Sequence, residues 1–410
     1  VSTKPRLLAI VPEFSPSAIV NVVTPLEAMA ERGLIDLVIR LERETNPSDL
    51  IGADALILCR NWEPLYRPIY ELALQMGIPL IYDLDDHVLI APAGSHTQQV
   101  FQAPGRRAMF EWLLSQAAIV RVHSPHLAQA MQGYTTKTAI VWAAIDWTLV
   151  PPDLPPLLAE PVHIVYAAQR ETAAALYPQM RADLHRVLAA YGERVRLHFL
   201  GYAPPDLKKH PLVIIHPFDS DYRAFFNRFT RAGYAIGLAP MLDEPFYNCK
   251  TNIKFRDYAA AGAAGVYADT PLYRANGVID GETGLLVTGE PGSWFDAIER
   301  LILQPDLIQS IRVNAYAYAR AKYHIDTVSQ MWLSQVATLR KPLALSTDEL
   351  ARVLQQQWHF TYEKKPDVPI VAWLRKVLRN TLPANWRLTY YDLSGYIRIK
   401  IRKMVRMFVK

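Results

Sequence analysis

Short apolar runs rich in Val, Ile and Leu recur along this chain, each followed by a stretch with helical periodicity, and that alternation restricts the fold more than any other feature. In the first 150 residues the runs are RLLAIVP, ALILCR, PLIYDLDD, AAIVRVHS and AIVWAAID. Strands covered by helices on both faces read as continuous apolar runs, because neither face meets water. PPDLPPLLAEP, residues 151–161, then breaks the pattern with five prolines and reads as a connection. The pattern resumes with VHIVYAA, VRLHFLG, LVIIHPF, YAIGLAP, AGVYADT and GLLVTG. The expected fold is α/β. Two doubly wound Rossmann-like domains, residues 1–150 and 162–335, are joined by the linker 151–161 and followed by a helical extension over 336–410. A length of 410 residues also exceeds what one hydrophobic core usually serves.

Past Gly292 the apolar positions Trp294, Ile298, Leu301 and Ile302 fall on one helical stripe, and Ser346 with Glu349 forms a capping-box pattern. The last 41 residues, 370–410, hold ten Lys and Arg against the single acid Asp392, a net +9 in a chain whose total is +5. There Ile370, Trp373, Leu374, Val377, Leu378 and Leu382 share a helical face away from Arg375, Lys376 and Arg379. After Pro383 a second face joins Ile397, Ile401, Met404, Val405 and Phe408, opposite Arg398, Arg402 and Arg406. Basic amphipathic helices of this kind lie in the interface of an anionic membrane, which is the expected partner of residues 370–410. Docking on the body with the basic side in solvent is the plainer reading. No nucleic-acid partner is expected, since no RNP, zinc-finger or helix-turn-helix signature is present.

No uninterrupted apolar run reaches the ~18 residues of a membrane span, and VSTKPRLLAIVPEF lacks the apolar core of a signal peptide. Cys59 and Cys249 fit neither a disulfide framework nor a metal-ligand spacing. These features set the expectation of a cytoplasmic protein that is peripheral on the inner face of the plasma membrane.

The most informative segment is DEPFYNCKTNIKFRDYAAAG, residues 243–262, where a loop after a strand becomes a helix. In doubly wound domains ligands bind at the carboxyl ends of strands, where helix amino termini present free N–H groups to anions. Lys250 and Lys254 add full charges there, and Thr251 and Asn252 add donors, a set suited to a diphosphate. Asp257, three residues beyond Lys254, lies on the same helix face, where a carboxylate can accept hydrogen bonds from ribose hydroxyls. The small residues Ala259 to Gly262 let this helix approach the sheet. A weak surface ion pair between Lys254 and Asp257 is the competing reading.

These residues resemble the donor-binding domain of GT-B fold glycosyltransferases, in particular the large family-4-like group. The resemblance rests on Asp243 or Glu244, FYNCKTNIKF, Asp257 with YAAAG, then GVYADT and IDGETGLLV, and it covers roughly residues 160–330 well and 1–150 more loosely. It implies that the two domains face a cleft, with a nucleotide-sugar donor in the second domain, Asp257 on ribose or sugar, and Glu244 or Asp243 as the first acid of the family's pair. The family spaces two glutamates by seven residues, whereas here the intervening loop is longer and the second acid is shortened to Asp. Arg170 in VYAAQRET stands about where the family carries a phosphate-contacting basic residue. Phe218 and Tyr222, in HPFDSDYRAFF, are placed near the nucleobase.

In the first domain PLIYDLDDHVL ends a strand with Asp83, Asp85 and Asp86, followed by His87. Clustered carboxylates repel one another unless solvent or cations relieve them. At a strand's carboxyl end they would line the cleft across from the donor, so Asp83, Asp85, Asp86 and His87 are the candidate catalytic groups, one of them deprotonating an acceptor hydroxyl. The segment resembles Y-D-x-D-D stretches of certain bacterial glycosyltransferases. DLD also matches the metal-binding D-x-D of GT-A enzymes, but the two-domain pattern and the separate phosphate site speak against it, so no metal and no other cofactor is expected. Capping aspartates are the structural alternative. At VRVHSPHLAQAM, Ser124 reads as an N-cap ahead of Pro125, and His123 and His126 are further candidates to meet the acceptor. The absence of a G-x-S-x-G elbow argues against a hydrolase triad, and VPEFSPSAIVNVVTP lacks a dinucleotide fingerprint.

Taken with the resemblance, the expectation is a glycosyltransferase that moves a sugar from a nucleoside-diphosphate sugar to a glycan or lipid-linked acceptor at the membrane. Its implied role is the assembly of a bacterial surface polysaccharide or glycolipid. A sugar-nucleotide epimerase or hydrolase of the same fold, and a non-catalytic nucleotide-sugar-binding scaffold, are the alternatives.

Overall fold

A computed structural model describes residues 4–156, 160–168, 170–219 and 221–339, all within one compact unit. Among the described residues, twelve strands form two six-stranded, wholly parallel sheets. The first contains β1 (Arg6–Val11), β2 (Asp36–Leu41), β3 (Ala55–Cys59), β4 (Leu80–Leu84), β5 (Ile119–Val122) and β6 (Thr138–Ile140), in the order β2-β1-β3-β4-β5-β6. The second contains β7 (Val162–Ala167), β8 (Val195–Leu200), β9 (Val213–His216), β10 (Ile236–Ala239), β11 (Ala264–Ala268) and β12 (Leu285–Val287), in the order β12-β11-β10-β7-β8-β9. Each is doubly wound, as expected. The winding reverses between β1 and β3 in the first sheet and between β7 and β10 in the second, and those reversals open the crevices that receive ligands.

The apolar runs become strands because both of their faces are covered: every residue of β3, β4, β5, β10 and β11 is buried. β2 is the strand the sequence pattern does not announce. It is an edge strand, and its run DLVIRL carries Asp36 and Arg40 on exposed positions. The described part of the linker, 151–156 and 160–161, holds no helix or strand. The helix Ser293–Leu303 buries Trp294, Ile298, Leu301 and Ile302 in the core of the second sheet, the stripe read from the sequence.

The boundary drawn at 335 needs correcting. The helix Ile325–Ala337 places Ile325, Val328 and Trp332 in the core of the first sheet, among Leu7, Ala9, Val11 and Ile57. The chain therefore returns to the first lobe after building the second. The physical reason is an apolar face that finds its complement beside β1 and the helix Thr24–Glu31. Residues 340–410, with the Ser346 and Glu349 pattern and the basic tail, lie outside the described residues. No described helix is long and apolar enough to cross a membrane.

Candidate functional site

After β10 the chain makes a short helix, Pro245–Asn248, steps through Cys249 to Asn252, and begins the helix Ile253–Ala261. Pro245 stands at the first turn of the short helix, where its missing N–H is not needed. Gly262, in the left-handed region at φ +65°, ends the longer helix. Ala259, Ala260 and Ala261 are buried against the sheet. Beneath them Gly237 of β10 has no side chain, and a Cβ there would lie 2.5 Å from the Tyr258 ring. The Tyr258 hydroxyl donates to the Leu238 carbonyl at 2.6 Å. Small residues on both sides thus press the helix onto β10 and fix its amino end beside the reversal between β10 and β7.

The charges expected at this helix start are there. Lys254 Nζ lies 3.8 Å from Asp257 Oδ2. The distance is too long for a hydrogen bond, and both side chains are largely buried, so this is not the solvated surface pair of the competing reading. Burial pushes the Asp257 carboxyl above its ordinary range, with Lys254 and Arg256 opposing it. Burial likewise lowers Lys254, with Asp257 opposing. Among the described residues nothing donates a hydrogen bond to the Asp257 carboxylate. The Tyr222 ring stacks on Phe226 with centroids 5.7 Å apart, and its phenol is pushed up by burial and by the nearby Asp257 charge. Tyr222 therefore lies near Asp257.

Asn252 corrects its assignment. It is buried, and its Nδ2 donates to the Asn276 carbonyl at 2.6 Å and to the Tyr323 hydroxyl at 2.7 Å, so its side chain is committed to the core and only its backbone can face an anion. Thr251 is half-buried at the step between the helices. Glu244 and Asp243 are exposed on the loop, and Asp243 accepts from Asn248 Nδ2 at 2.7 Å. Phe218 is 57% exposed beside Gly201, at the carboxyl edge of β8 and β9. Arg170 opens the helix Arg170–Leu176, and its side chain lies outside the described part.

The four candidates of the first lobe divide. Asp83, inside β4, is fully buried, and its Oδ1 accepts from Arg121 Nη1 at 2.5 Å and from His123 Nε2 at 3.1 Å. Burial opposes its ionisation, but Arg121 and His123 hold it well below the carboxylate range. Arg121 also donates to the carbonyls of Asn21 and Trp142 and stacks over Trp332. Asp83 is therefore a core ion pair rather than a base within reach of an acceptor, which corrects its catalytic assignment. His87 is buried, is lowered by burial, meets the Tyr134 ring edge-on and leaves Nδ1 without a partner among the described residues.

Asp85 and Asp86 stand at the cleft. Arg60 grips Asp85 with two bonds, Nε to Oδ1 at 2.8 Å and Nη2 to Oδ2 at 2.6 Å, and reaches Asp86 Oδ2 at 3.3 Å. Burial works against the Asp85 charge, and Arg60 holds its carboxyl below the ordinary range. Asp86 Oδ1 accepts from Lys250 Nζ at 2.9 Å, which joins the acidic cluster of the first lobe to the helix start of the second. The approach is extended by Ala91, packed with Leu176, Phe246 and Tyr247, and by Ser124 Oγ, 3.5 Å from the Cys249 carbonyl. Ser124 also accepts from Leu127 N and caps its helix, as read from the sequence.

Arg60 is the residue the sequence reading missed. It follows β3 beside the β1–β3 reversal and adopts φ +61°, a left-handed conformation that an arginine rarely takes. A basic residue at the carboxyl end of a buried strand was the available signal. Among the described residues no cluster of His, Cys, Asp and Glu is arranged to hold a metal ion.

No protein-family model matches the sequence, and no curated protein matches it. Solved structures do match the fold. HepE from Anabaena, solved with UDP and glucose, superposes with a TM-score of 0.58 at 14% identity, covering 82% of this chain and 100% of that one. Sucrose-phosphate synthase from Thermosynechococcus elongatus gives 0.59 at 14% identity over 82% of this chain and 99% of that one. An alpha-glucosyltransferase solved with UDP and a 13-mer DNA gives 0.59 at 11% identity, with 82% and 100% covered. The fold of this chain is GT-B, as the sequence resemblance implied.

Proposed function

We propose that the chain is a glycosyltransferase whose second lobe binds a nucleoside-diphosphate sugar at the start of the helix Ile253–Ala261. One observation carries this reading. A largely buried carboxylate, Asp257, stands with Lys254 at a helix start beside the β7–β10 reversal, and no described group donates a hydrogen bond to it. A carboxylate this buried is poorly hydrated and gains from donors that a ligand brings, and paired ribose hydroxyls supply them. The UDP and glucose bound to HepE, and the UDP bound to the alpha-glucosyltransferase, support the same donor class.

In the reaction an acceptor oxygen forms a bond to the anomeric carbon as the bond from that carbon to the diphosphate oxygen breaks. Lys250, Lys254 and the backbone N–H groups of the helix start stabilise the charge that develops on the leaving diphosphate, the term that usually dominates such a transfer. The proton of the acceptor hydroxyl passes to a carboxylate of the opposite lobe. Asp86 is the better placed, because Arg60 grips Asp85 by both oxygens at 2.8 and 2.6 Å within its own lobe, whereas Asp86 meets Arg60 only at 3.3 Å and its Oδ1 is held by Lys250 of the other lobe. Closure of the lobes excludes water from the transfer.

The acceptor is assigned as a glycan or lipid-linked precursor at the cytoplasmic face of a membrane, in surface polysaccharide or glycolipid assembly. The +9 charge of residues 370–410 supports this part of the reading. Incubation with candidate nucleotide sugars tests the activity. Acceptor-dependent release of diphosphate supports transfer, acceptor-independent turnover supports an epimerase or hydrolase, and binding without turnover supports a scaffold. Removal of residues 370–410 should abolish sedimentation with anionic liposomes, and unchanged sedimentation of the folded truncation would defeat the membrane assignment.

A further inference from the structure

Asp86 is held from two sides by cations of different lobes. Its Oδ1 is 2.9 Å from Lys250 Nζ of the second lobe, and its Oδ2 is 3.3 Å from Arg60 Nη2 of the first. The two holds are unequal in kind. Arg60 is part of the same lobe and is anchored by its two bonds to Asp85. Lys250 ends a flexible stem whose ammonium rests over the Phe246 ring, 4.4 Å from its centroid, at the step into the helix Ile253–Ala261. An ammonium of this kind can turn its three donors to a new acceptor without moving its backbone.

This geometry makes Lys250 a group with two claimants, the carboxylate it now touches and the diphosphate proposed above. A diphosphate carries more negative charge than one carboxylate and is also received by helix N–H groups, so it competes effectively for the same ammonium. Asp86 does not become an unpaired partly buried anion when Lys250 turns away, because Arg60 remains beside it. We propose that the Lys250–Asp86 pair is a latch released by the donor: the nucleotide diphosphate takes Lys250 from Asp86, and only then is Asp86 Oδ1 open to an acceptor hydroxyl. The latch couples the two half-sites and imposes an order, donor before acceptor. This inference rests on the diphosphate site of the proposed function.

Calorimetric titration with UDP, and with GDP, ADP and dTDP in parallel, tests it on the full chain. Asp86→Asn removes the competing charge and should bind the preferred diphosphate about five-fold tighter or more, with no change for the corresponding nucleoside. Lys250→Ala should bind the diphosphate more weakly, and Asp86→Asn added to Lys250→Ala should bring no gain, since the coupling runs through that one pair. If Asp86→Asn unfolds early in a thermal melt, Asp86→Ser takes its place with the same expectation. Diphosphate affinity in a folded Asp86 variant that equals or falls below that of the unaltered protein overturns the latch and leaves the donor site standing. Failure of the unaltered protein to bind any of the four diphosphates overturns the latch together with the proposed donor site.

Discussion

The Asp257 carboxylate stands 3.8 Å from the Lys254 ammonium, one helical turn apart and both largely out of solvent. Each is shifted toward its neutral form by burial and restrained by the other. A pair this loose adds little to stability. It is arranged to be completed by something that brings hydrogen-bond donors to Asp257 and a further negative charge to Lys254.

Removing that carboxylate should therefore cost binding more than folding. Asp257→Asn is expected to weaken nucleoside diphosphate affinity by roughly ten- to a hundred-fold, about 1.4–2.8 kcal/mol, with little change in melting temperature. Calorimetry on the variant beside the unaltered protein checks this. An Asp257→Asn protein that binds normally would remove Asp257 from the site.

Asp83 predicts the opposite split. It is fully buried with Arg121 and His123, and breaking one side of such a pair leaves an uncompensated buried charge. Asp83→Asn should lower stability by about 3–5 kcal/mol, read by urea unfolding, while the folded fraction keeps its diphosphate affinity. Loss of affinity without loss of stability would return Asp83 to the site.

Legibility in the sequence followed burial. β3, β10 and β11 were readable because both of their faces are covered and their residues carry no charge, and β4 because its run is apolar apart from Asp83, whereas β2 hides behind Asp36 and Arg40 because it lies at an edge. Lys250, Lys254 and Asp257 were singled out because they lie where a loop after a strand becomes a helix, and the structure puts Lys254 and Asp257 on that helix, 3.8 Å apart. What single positions could not reveal was which side chains are already committed. Asp83, Asp85 and Asp86 look alike in YDLDD, yet alternation along β4 turns Asp83 inward to Arg121, 38 residues away, while the loop presents the other two to Arg60 and Lys250. Asn252 was misread for the same reason, since its partners Asn276 and Tyr323 arrive from distant elements.

Arg60 gives a pH-dependent expectation. It holds Asp85 below the ordinary carboxylate range, so the pair contributes stability above that range and loses it as pH falls. Arg60→Gln should cost on the order of 2 kcal/mol at neutral pH, and the gap to the unaltered protein should narrow below pH ~4, where Asp85 is protonated in the variant and when unfolded. A gap that stays constant from pH 7 to 3 would contradict this.

Glu42 has the reverse sign. It follows β2 in a buried network, where its Oε1 accepts from the Tyr70 hydroxyl at 2.5 Å and from Asn61 Nδ2 at 2.9 Å. Burial raises its carboxyl from 4.5 to about 7, against the pull of Tyr70 and Asn61, with Glu63 nearby adding to the rise and Arg106 opposing it. The folded protein thus holds this proton more tightly than the unfolded chain. The resulting stability is present below pH 4.5 and is lost as pH rises through 7. Glu42→Gln should remove a loss on the order of 3 kcal/mol between those limits, measured as parallel urea melts at pH 5 and 8. Equal pH dependence in both proteins would exclude Glu42 as its source.

The central claim is that a leaving diphosphate is received at the start of the helix Ile253–Ala261. A crystal structure of the chain soaked with the diphosphate it binds best tests this most directly. The diphosphate oxygens are expected within hydrogen-bond reach of the Lys250 or Lys254 ammonium and the N–H groups of that helix start, with the ribose hydroxyls on Asp257. A diphosphate bound elsewhere, with the crevice between β7 and β10 empty, would contradict it.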